Sequence, residues 1–262
     1  MKSTHPPPGS KRFFSIYLAE LYYTLVQQYR QPLGSLFSLL WPLLFYLFII
    51  VVFSGTGFLA AYVERTPVSV YLFAFFGMFG ALTTALQGFG QSLALERAQG
   101  WMRLRRVSPS LVTAYFSARL SAVLLLSIAL TLGMLLSGVL LTDLALTLTQ
   151  TLGLVVALMA GALSFAALAL ALGYLVAPGS AATVIHWLYV PLFFTMLMKN
   201  VDEYPLGVQL VVELLPSYHL NQIVLGTIGW HQAALWPSYL SLGLFTLIAL
   251  AVAVWSYRRE ES

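Results

Sequence analysis

The sequence contains no cysteine and few charged residues. The missing cysteine excludes disulfide bonds, cysteine-ligated zinc, iron–sulfur clusters and thiol nucleophiles. Charged residues make up only 8% of the 262 residues, whereas soluble domains average about 25%. Because 60% of the residues are hydrophobic, the chain cannot cover its surface with polar groups. An ordinary water-soluble domain is therefore excluded, and lipid is the expected solvent.

Several kinds of catalytic and metal site are also missing. None of the three lysines stands in the G-x-x-x-x-G-K-[ST] context of a phosphate-binding loop, so we expect no ATP hydrolysis by that route. The predicted spans hold no Asp or Glu away from their ends, which argues against an intramembrane hydrolase or an ion-coupled carrier. Glu213, His219 and His231 do not match the spacing of a metal motif, so we predict no metal site.

Long stretches without charge delimit the predicted membrane spans, because a charge at mid-bilayer is costly and a helix needs about 20 residues to cross. The uncharged stretch from Leu144 to Met198 is long enough for two helices, with a turn at Ala177–Ser180, where Pro and Gly break the helix. The sequence therefore predicts an all-α integral membrane protein with six transmembrane helices. They lie near Leu33–Phe58, Val68–Leu93, Leu111–Leu141, Leu146–Val176, Ala181–Met198 and Trp236–Tyr257.

The distribution of Lys and Arg predicts the orientation of these spans. With six spans both termini lie on one side, and that side collects 11 of the 13 basic residues. Only Arg65 and Lys199 fall on the other side. The positive-inside rule therefore places both termini in the cytoplasm. We expect the membrane to be the plasma (inner) membrane of a prokaryote.

The segment before the first span divides into a tail and a helix. Residues 1–11, with three consecutive prolines, indicate a flexible cytoplasmic tail. Residues 12–31 carry an apolar stripe that includes Phe14, Leu18 and Leu21 and predict an amphipathic helix in the cytoplasmic membrane interface. A helix packed on protein remains the alternative. Residues 32–262 are predicted to form a single transmembrane domain.

The longest cytoplasmic loop, residues 94–110, is basic and carries Trp101. Glu96 suits the start of a short helix that Ser108 and Pro109 would end. Such a helix either docks on a soluble partner or anchors in the lipid headgroups, and the residues alone do not favour one interpretation.

This loop resembles the region between the second and third spans of ABC-2 type transport permeases, the membrane subunits of ATP-binding cassette exporters. That family has E-R-E-x-G, a basic and apolar stretch, and then [ST]-P. The chain has Glu96, Arg97, Gly100, Ser108 and Pro109 at these places and departs from the pattern at Ala98. The six spans and the helix at 12–31 also resemble the family's topology and its connecting helix.

The resemblance implies a mechanism and partners. The loop would be a coupling helix seated on a separate cytoplasmic ATPase, so this chain would be non-catalytic, and the partner ATPase would bind ATP and Mg. We expect two ATPase subunits and a second permease copy or paralogue, and no nucleic acid. The expected coupling residues are Glu96, Arg97, Gly100, Trp101, Arg103 and Pro109, whereas Arg105, Arg106 and Arg119 could be topological anchors only.

The loop between spans five and six, residues 199–235, contains two short apolar pieces that are too short to span. They resemble the family's outer re-entrant helices, with an interfacial loop as the alternative. The expected outer gate residues are Glu213, Pro216, Tyr218 and His219.

The cargo is less defined by the sequence. Aromatic and polar residues near spans two and five, namely Gln87, Phe89, Phe193 and Phe194, are the expected pathway. The uncharged spans favour a drug, peptide antibiotic or lipid as cargo, and a polysaccharide or glycolipid is the alternative. A secondary carrier or a membrane lipid enzyme is the competing class. Pairs of small residues, Ala157 with Gly161 and Ala169 with Gly173, predict close helix packing.

Overall fold

The computed structural model describes residues 10–30, 37–53, 67–100, 109–142, 144–198 and 201–261. Within these ranges the chain folds into helices joined by short connections. The tail at 1–9, both ends of the first predicted span, and Arg65 and Lys199 lie outside the described residues.

The helices follow the order that the uncharged stretches predict. Helix α1 covers Ser10–Arg30 and α2 covers Phe37–Phe53. Helix α3 runs over Val68–Ala98, and α4, α5 and α6 cover Pro109–Leu141, Leu148–Leu175 and Pro178–Leu197. The short helices α7 (Leu206–Glu213) and α8 (Pro216–Thr227) precede α9 (Trp236–Glu261).

Five of these helices, α3, α4, α5, α6 and α9, are long and apolar enough to cross a membrane, so the chain is a multi-pass membrane protein. Helix α2 is also apolar, but its described part has 17 residues. The five long helices match predicted spans two to six. The end that carries the N-terminus of α4 and the C-terminus of α9 is called the cytoplasmic end below, as the charge distribution predicts.

The helix ends follow from local sequence. Helix α5 begins with a capping box, in which the Thr147 hydroxyl accepts a hydrogen bond from the Gln150 backbone N–H while the Thr147 backbone N–H donates to the Gln150 side chain. Pro178 begins α6 after an interval of two residues, because proline suits the first turn of a helix and cannot continue the preceding one. The predicted helix break is therefore present, but it lies at Val176 and Ala177, and residues 178–180 already belong to α6.

Helix α5 is the centre of the bundle. It packs against α3, α4, α6, α8 and α9, and its inner face is rich in alanine and glycine. A Cβ atom at Gly161 would collide with Leu220 of α8, and one at Gly173 would lie 3.1 Å from Leu93 of α3. The predicted small-residue pairs therefore permit close packing within this chain.

Helix α1 lies against the bundle through one face only. It packs along α4, where the Tyr17 hydroxyl donates to the Ser121 hydroxyl at 2.8 Å and Thr24 is buried. Its other face leaves Phe14, Leu18 and Tyr22 exposed at successive turns. The predicted helix is thus present and packs on protein, and its exposed aromatic face fits the membrane interface that the sequence predicts.

Candidate functional site

An aromatic groove with a volume of about 600 Å³ opens between α2, α3 and α6. Three elements supply its walls, which are lined by Trp41, Phe45, Ile49, Phe75, Phe76, Phe79, Gln87, Tyr189, Phe193 and Leu197. The rings of Phe79 and Phe193 meet edge to face with centroids 5.2 Å apart, and Tyr189 stacks on Phe193 at 6.3 Å. We call this set of residues the aromatic groove.

Gln87 is the one polar side chain without an aromatic ring among the described residues that line the groove. It lies in a π-helical segment, Thr83–Gly90, in the middle of α3. At the end of this segment, Gly90 lets α3 approach α5 so closely that a Cβ there would lie 2.9 Å from the Cβ of Ala169. Such segments recur at functional sites because they redirect side chains.

The structure brings two of the four expected pathway residues to the groove. Gln87 and Phe193 line it. Phe89 is 2% exposed and belongs to the hydrophobic core, whereas Phe194 is 56% exposed and does not line the groove, although its ring contacts that of Phe193. The aromatic residues of α2 and of the first half of α3 also line the groove, and no sequence pattern had predicted this role for them.

At the cytoplasmic end, Arg97 caps a neighbouring helix. Its guanidinium donates to the carbonyl oxygens of Gly173 and Val176, both at 2.5 Å, and to that of Tyr174 at 3.5 Å. It also lies over the Tyr174 ring, 5.3 Å from the centroid. The last carbonyls of a helix have no partner within the helix and carry its negative dipole end. A buried cation from α3 therefore satisfies the C-terminal end of α5.

The adjacent residue, Glu96, binds α4 instead. Its carboxylate forms an ion pair with Arg119 and accepts a hydrogen bond from the Tyr115 hydroxyl. Arg119 also donates to the Ser92 hydroxyl at 2.8 Å, and its side chain is only 4% exposed. Two consecutive residues of α3 thus hold two different helices, Glu96 holding α4 and Arg97 holding α5. We call these residues and their partners the motif cluster.

Gly100 terminates α3. Its φ is +79°, in the left-handed region that favours glycine, and its N–H donates to the Arg97 carbonyl at 3.1 Å. This is the geometry of a helix C-terminus. Among the described residues, no atom lies within 4 Å of a Cβ built at Gly100, so the positive φ accounts for the glycine there.

These positions correct two sequence-based expectations. Glu96 and Arg97 lie in the last turn of α3 and not at the start of a separate helix, because their buried contacts with α4 and α5 extend α3 to Ala98. Arg119 is a buried partner of Glu96, so its role exceeds that of a topological anchor.

Of the other expected coupling residues, Pro109 begins α4. Trp101 and Arg103, like Arg105 and Arg106, lie outside the described residues.

The expected outer gate residues lie together at the junction of α7 and α8. Glu213 is the last residue of α7, Pro216 is buried at the start of α8, and Tyr218 and His219 follow one turn later. The His219 Nε2 atom donates to the Glu213 carbonyl oxygen at 2.9 Å. Burial lowers the pKa of His219, although this hydrogen bond and the Glu213 charge oppose the shift.

Helix α8 is also fastened to α6, the helix that forms one wall of the aromatic groove. The Ser217 and Thr195 hydroxyls share a hydrogen bond, and the Asn221 side chain donates to the Met198 carbonyl at 2.7 Å. Both Ser217 and Asn221 are buried. A displacement of α8 therefore acts directly on the groove wall. Among the described residues no group of three or more His, Asp or Glu side chains could hold a metal ion.

Comparison with known proteins agrees with this architecture. The model of the family described as ABC-2 family transporter protein matches residues 62–255, which include the motif cluster, the outer helices and most of the groove. A comparison with curated proteins finds no match. Since the family match extends over more than half of the sequence, the chain belongs to the ABC-2 family of transporter proteins.

Proposed function

We propose that this chain is the permease subunit of an ATP-driven exporter that moves an amphipathic or hydrophobic cargo out of the cytoplasm or the inner leaflet. The observation that carries the proposal is the aromatic groove, with Gln87 as a polar contact among apolar walls. Binding sites for apolar small molecules have this composition, with apolar walls and few polar groups. Among the described residues no hydrogen bond occupies the Gln87 amide, so it can orient a cargo in the groove.

The energy would come from a separate ATPase. Membership in the family implies an ABC transporter system with an ATPase subunit. The ATPase would bind ATP and Mg and press on the loop at 101–108, which joins α3 to α4. Because Glu96 fastens the end of α3 to α4 and Arg97 fastens it to α5, a push on this loop would move the three helices as one unit. Helix α3 carries part of the groove wall, so the cargo site would follow.

Two copies of the chain, or one copy and a paralogue, would work with two ATPase subunits. The aromatic groove supports this arrangement because it is open on one side: Trp41 is 38% exposed and Phe45 is 39% exposed. Facing grooves from two permeases would enclose a pathway that one chain leaves open. The outer helices α7 and α8 would form the gate, through the attachment of α8 to α6.

The test is to express the chain with the ATPase encoded beside it, purify the complex and measure ATP hydrolysis and dye transport in proteoliposomes. We expect a complex with two copies of each subunit, whose hydrolysis is stimulated by amphipathic dyes. Phe193→Ala removes a groove ring and should lower this stimulation about tenfold. Phe194→Ala is the matched control, because the neighbouring ring lies outside the groove lining.

Three results would contradict the proposal in different ways. If no ATPase co-purifies, a secondary carrier or a membrane lipid enzyme becomes the better interpretation of the protein's function. If a lipid-linked sugar stimulates hydrolysis and dyes do not, the protein is a polysaccharide or glycolipid exporter. If Phe193→Ala and Phe194→Ala behave alike, the groove is not the cargo site.

A further inference from the structure

A second cavity of about 560 Å³ lies at the end of the bundle opposite the motif cluster, between α7, α8 and the first turns of α9. We call it the outer pocket. Its polar lining consists of Glu213, Tyr218, His219, Ser238 and Ser241, and its apolar lining comes from Leu210, Leu214 and Pro237. The pocket does not include any residue of the aromatic groove.

Glu213 is the only charged side chain among the described residues that line the outer pocket. The Nε2–H of His219 is held by a carbonyl oxygen, and burial of its Nδ1 atom without a hydrogen-bond partner among the described residues disfavours a second proton on the ring. The hydroxyl groups of Ser238 and Ser241 lie one turn apart on α9 and carry no charge. The pocket therefore combines one negative charge with hydroxyl groups and apolar walls.

Among the described residues, the full charges near the outer pocket are negative. Glu213 lies at the C-terminus of α7, where the helix dipole is negative and a cation is favoured, whereas the first turns of α8 and α9, which also border the pocket, carry partial positive charge. No Lys or Arg occurs between residues 201 and 257. Burial raises the pKa of Tyr218, and the nearby carboxylates of Glu213 and Asp202 act in the same direction. At the start of α9, Pro237 has no N–H to offer an anion.

We propose that the outer pocket is a binding site for organic cations that carry an apolar group. The ammonium group would face the Glu213 carboxylate and the Tyr218 ring, and the apolar group would lie against Leu210 and Leu214. Both leucines are exposed on the surface of the chain, at 57% and 76%, so their side chains are accessible to the apolar group. This site does not depend on the transport proposal, because a ligand can bind there without any ATPase.

The absence of cysteine permits a direct test on the full chain in membrane vesicles. Ser241→Cys introduces one thiol into the outer pocket, and its reaction rates with a cationic (trimethylammonium) and an anionic (sulfonate) methanethiosulfonate are compared. Gln232→Cys, on the exposed loop before α9, is the reference position. A carboxylate attracts the cationic reagent and repels the anionic one. For a carboxylate and a reagent charge about 7 Å apart in a water-like medium, the ratio of cationic to anionic rates should change about five- to tenfold. We therefore expect Glu213→Gln to lower this ratio at the introduced thiol by that factor.

The matched control is Glu203→Gln, which removes an exposed acid outside the pocket lining and should leave the ratio at residue 241 unchanged. A second experiment adds a ligand before the reagent. Benzyltrimethylammonium, a cation with an apolar group, should protect the introduced thiol from reaction, whereas the neutral benzyl alcohol, the anionic benzenesulfonate and the sugar methyl glucoside should not. The proposal is overturned if Glu213→Gln leaves the ratio unchanged. It is also overturned if the neutral, anionic or sugar probe protects as well as the cation.

Discussion

Replacing Arg97 tests whether this motif residue holds the bundle together. Arg97 is 9% exposed, and two of its hydrogen bonds to α5 carbonyls are 2.5 Å long. Hydrogen bonds to charged groups contribute about 1.5–3 kcal/mol each. Arg97→Met keeps an unbranched apolar stem and removes the guanidinium with both bonds, leaving the carbonyls of Gly173 and Val176 without this partner. Because the cost of burying the guanidinium is also removed, we expect a net loss of about 3 kcal/mol.

A loss of this size is measurable as a shift in thermal unfolding. One kcal/mol corresponds to about 2–4 °C for a chain of this length, so Arg97→Met should lower Tm by about 6–12 °C. The assay is intrinsic fluorescence of the purified chain in detergent, since the sequence has six tryptophans. The Tm of Arg97→Lys should lie between that of the parent chain and that of Arg97→Met, because an ammonium group cannot reach several carbonyls at once.

The control is Arg258→Met, which removes an exposed arginine from the last turn of α9. Exposed charges contribute little, so its Tm should stay within about 2 °C of the parent chain. If Arg97→Met and Arg258→Met have the same Tm, the helix-capping role is refuted, and contact with a partner protein becomes the alternative role of Arg97.

Three further predictions follow from the motif cluster and the outer helices. Arg119→Met should lower the stability by about 3–5 kcal/mol, because it leaves the Glu96 carboxylate, which is only 15% exposed, without its cation, and adding Glu96→Gln should recover part of this loss in a double-mutant cycle measured by Tm. Gly100→Ala should cost about 1 kcal/mol because φ is +79°, whereas Gly179→Ala, equally open but without positive φ, should cost nothing, as thermal unfolding would show. His219 has a lowered pKa, so below its unfolded value of about 6.5 the unfolded chain binds more protons. The protection of the α8 amides, taken relative to the intrinsic exchange rate at each pH, should therefore fall between pH 7.5 and pH 5.5, and His219→Gln should remove that fall.

The positions of the long helices could be predicted because charges are excluded from the bilayer centre. The boundaries near Pro109, Pro178 and Trp236 agree with the structure to within a few residues. The exception is the end of α3, which continues past Leu93 to Ala98. Here tertiary contacts of Glu96 and Arg97 decide the helix length, and local sequence does not report them.

The motif cluster could be predicted only in part. The E-R-x-x-G pattern draws attention to Glu96, Arg97 and Gly100, but their partners lie 19 to 79 residues away along the chain. One signal was available: Arg119 lies a full ten residues inside an apolar helix, and an arginine there needs a carboxylate partner. Glu96 is the acid at the end of the preceding span.

The aromatic groove was harder to predict from sequence. Phe89 and Phe193 occupy similar apolar surroundings in the sequence, yet one is in the core and the other lines the groove. An aromatic ring on a membrane helix has the same neighbours in sequence whether it faces lipid, protein or a cavity. Only the relative rotation of α3 and α6 separates these cases, and the π-helical segment changes that rotation within α3 itself.

The π-helical segment also fixes the spacing of residues along α3. It lies between the groove residues Phe75, Phe76 and Phe79 and the pair Glu96 and Arg97, so the two groups point in directions that a continuous α-helix would not give. Deleting one residue from the regular α-helical turns after Gly90 would rotate everything that follows by about 100° and turn Glu96 and Arg97 away from α4 and α5. The number of residues between the groove and the motif is therefore as constrained as their identity, and chimeric permeases are best joined outside this segment.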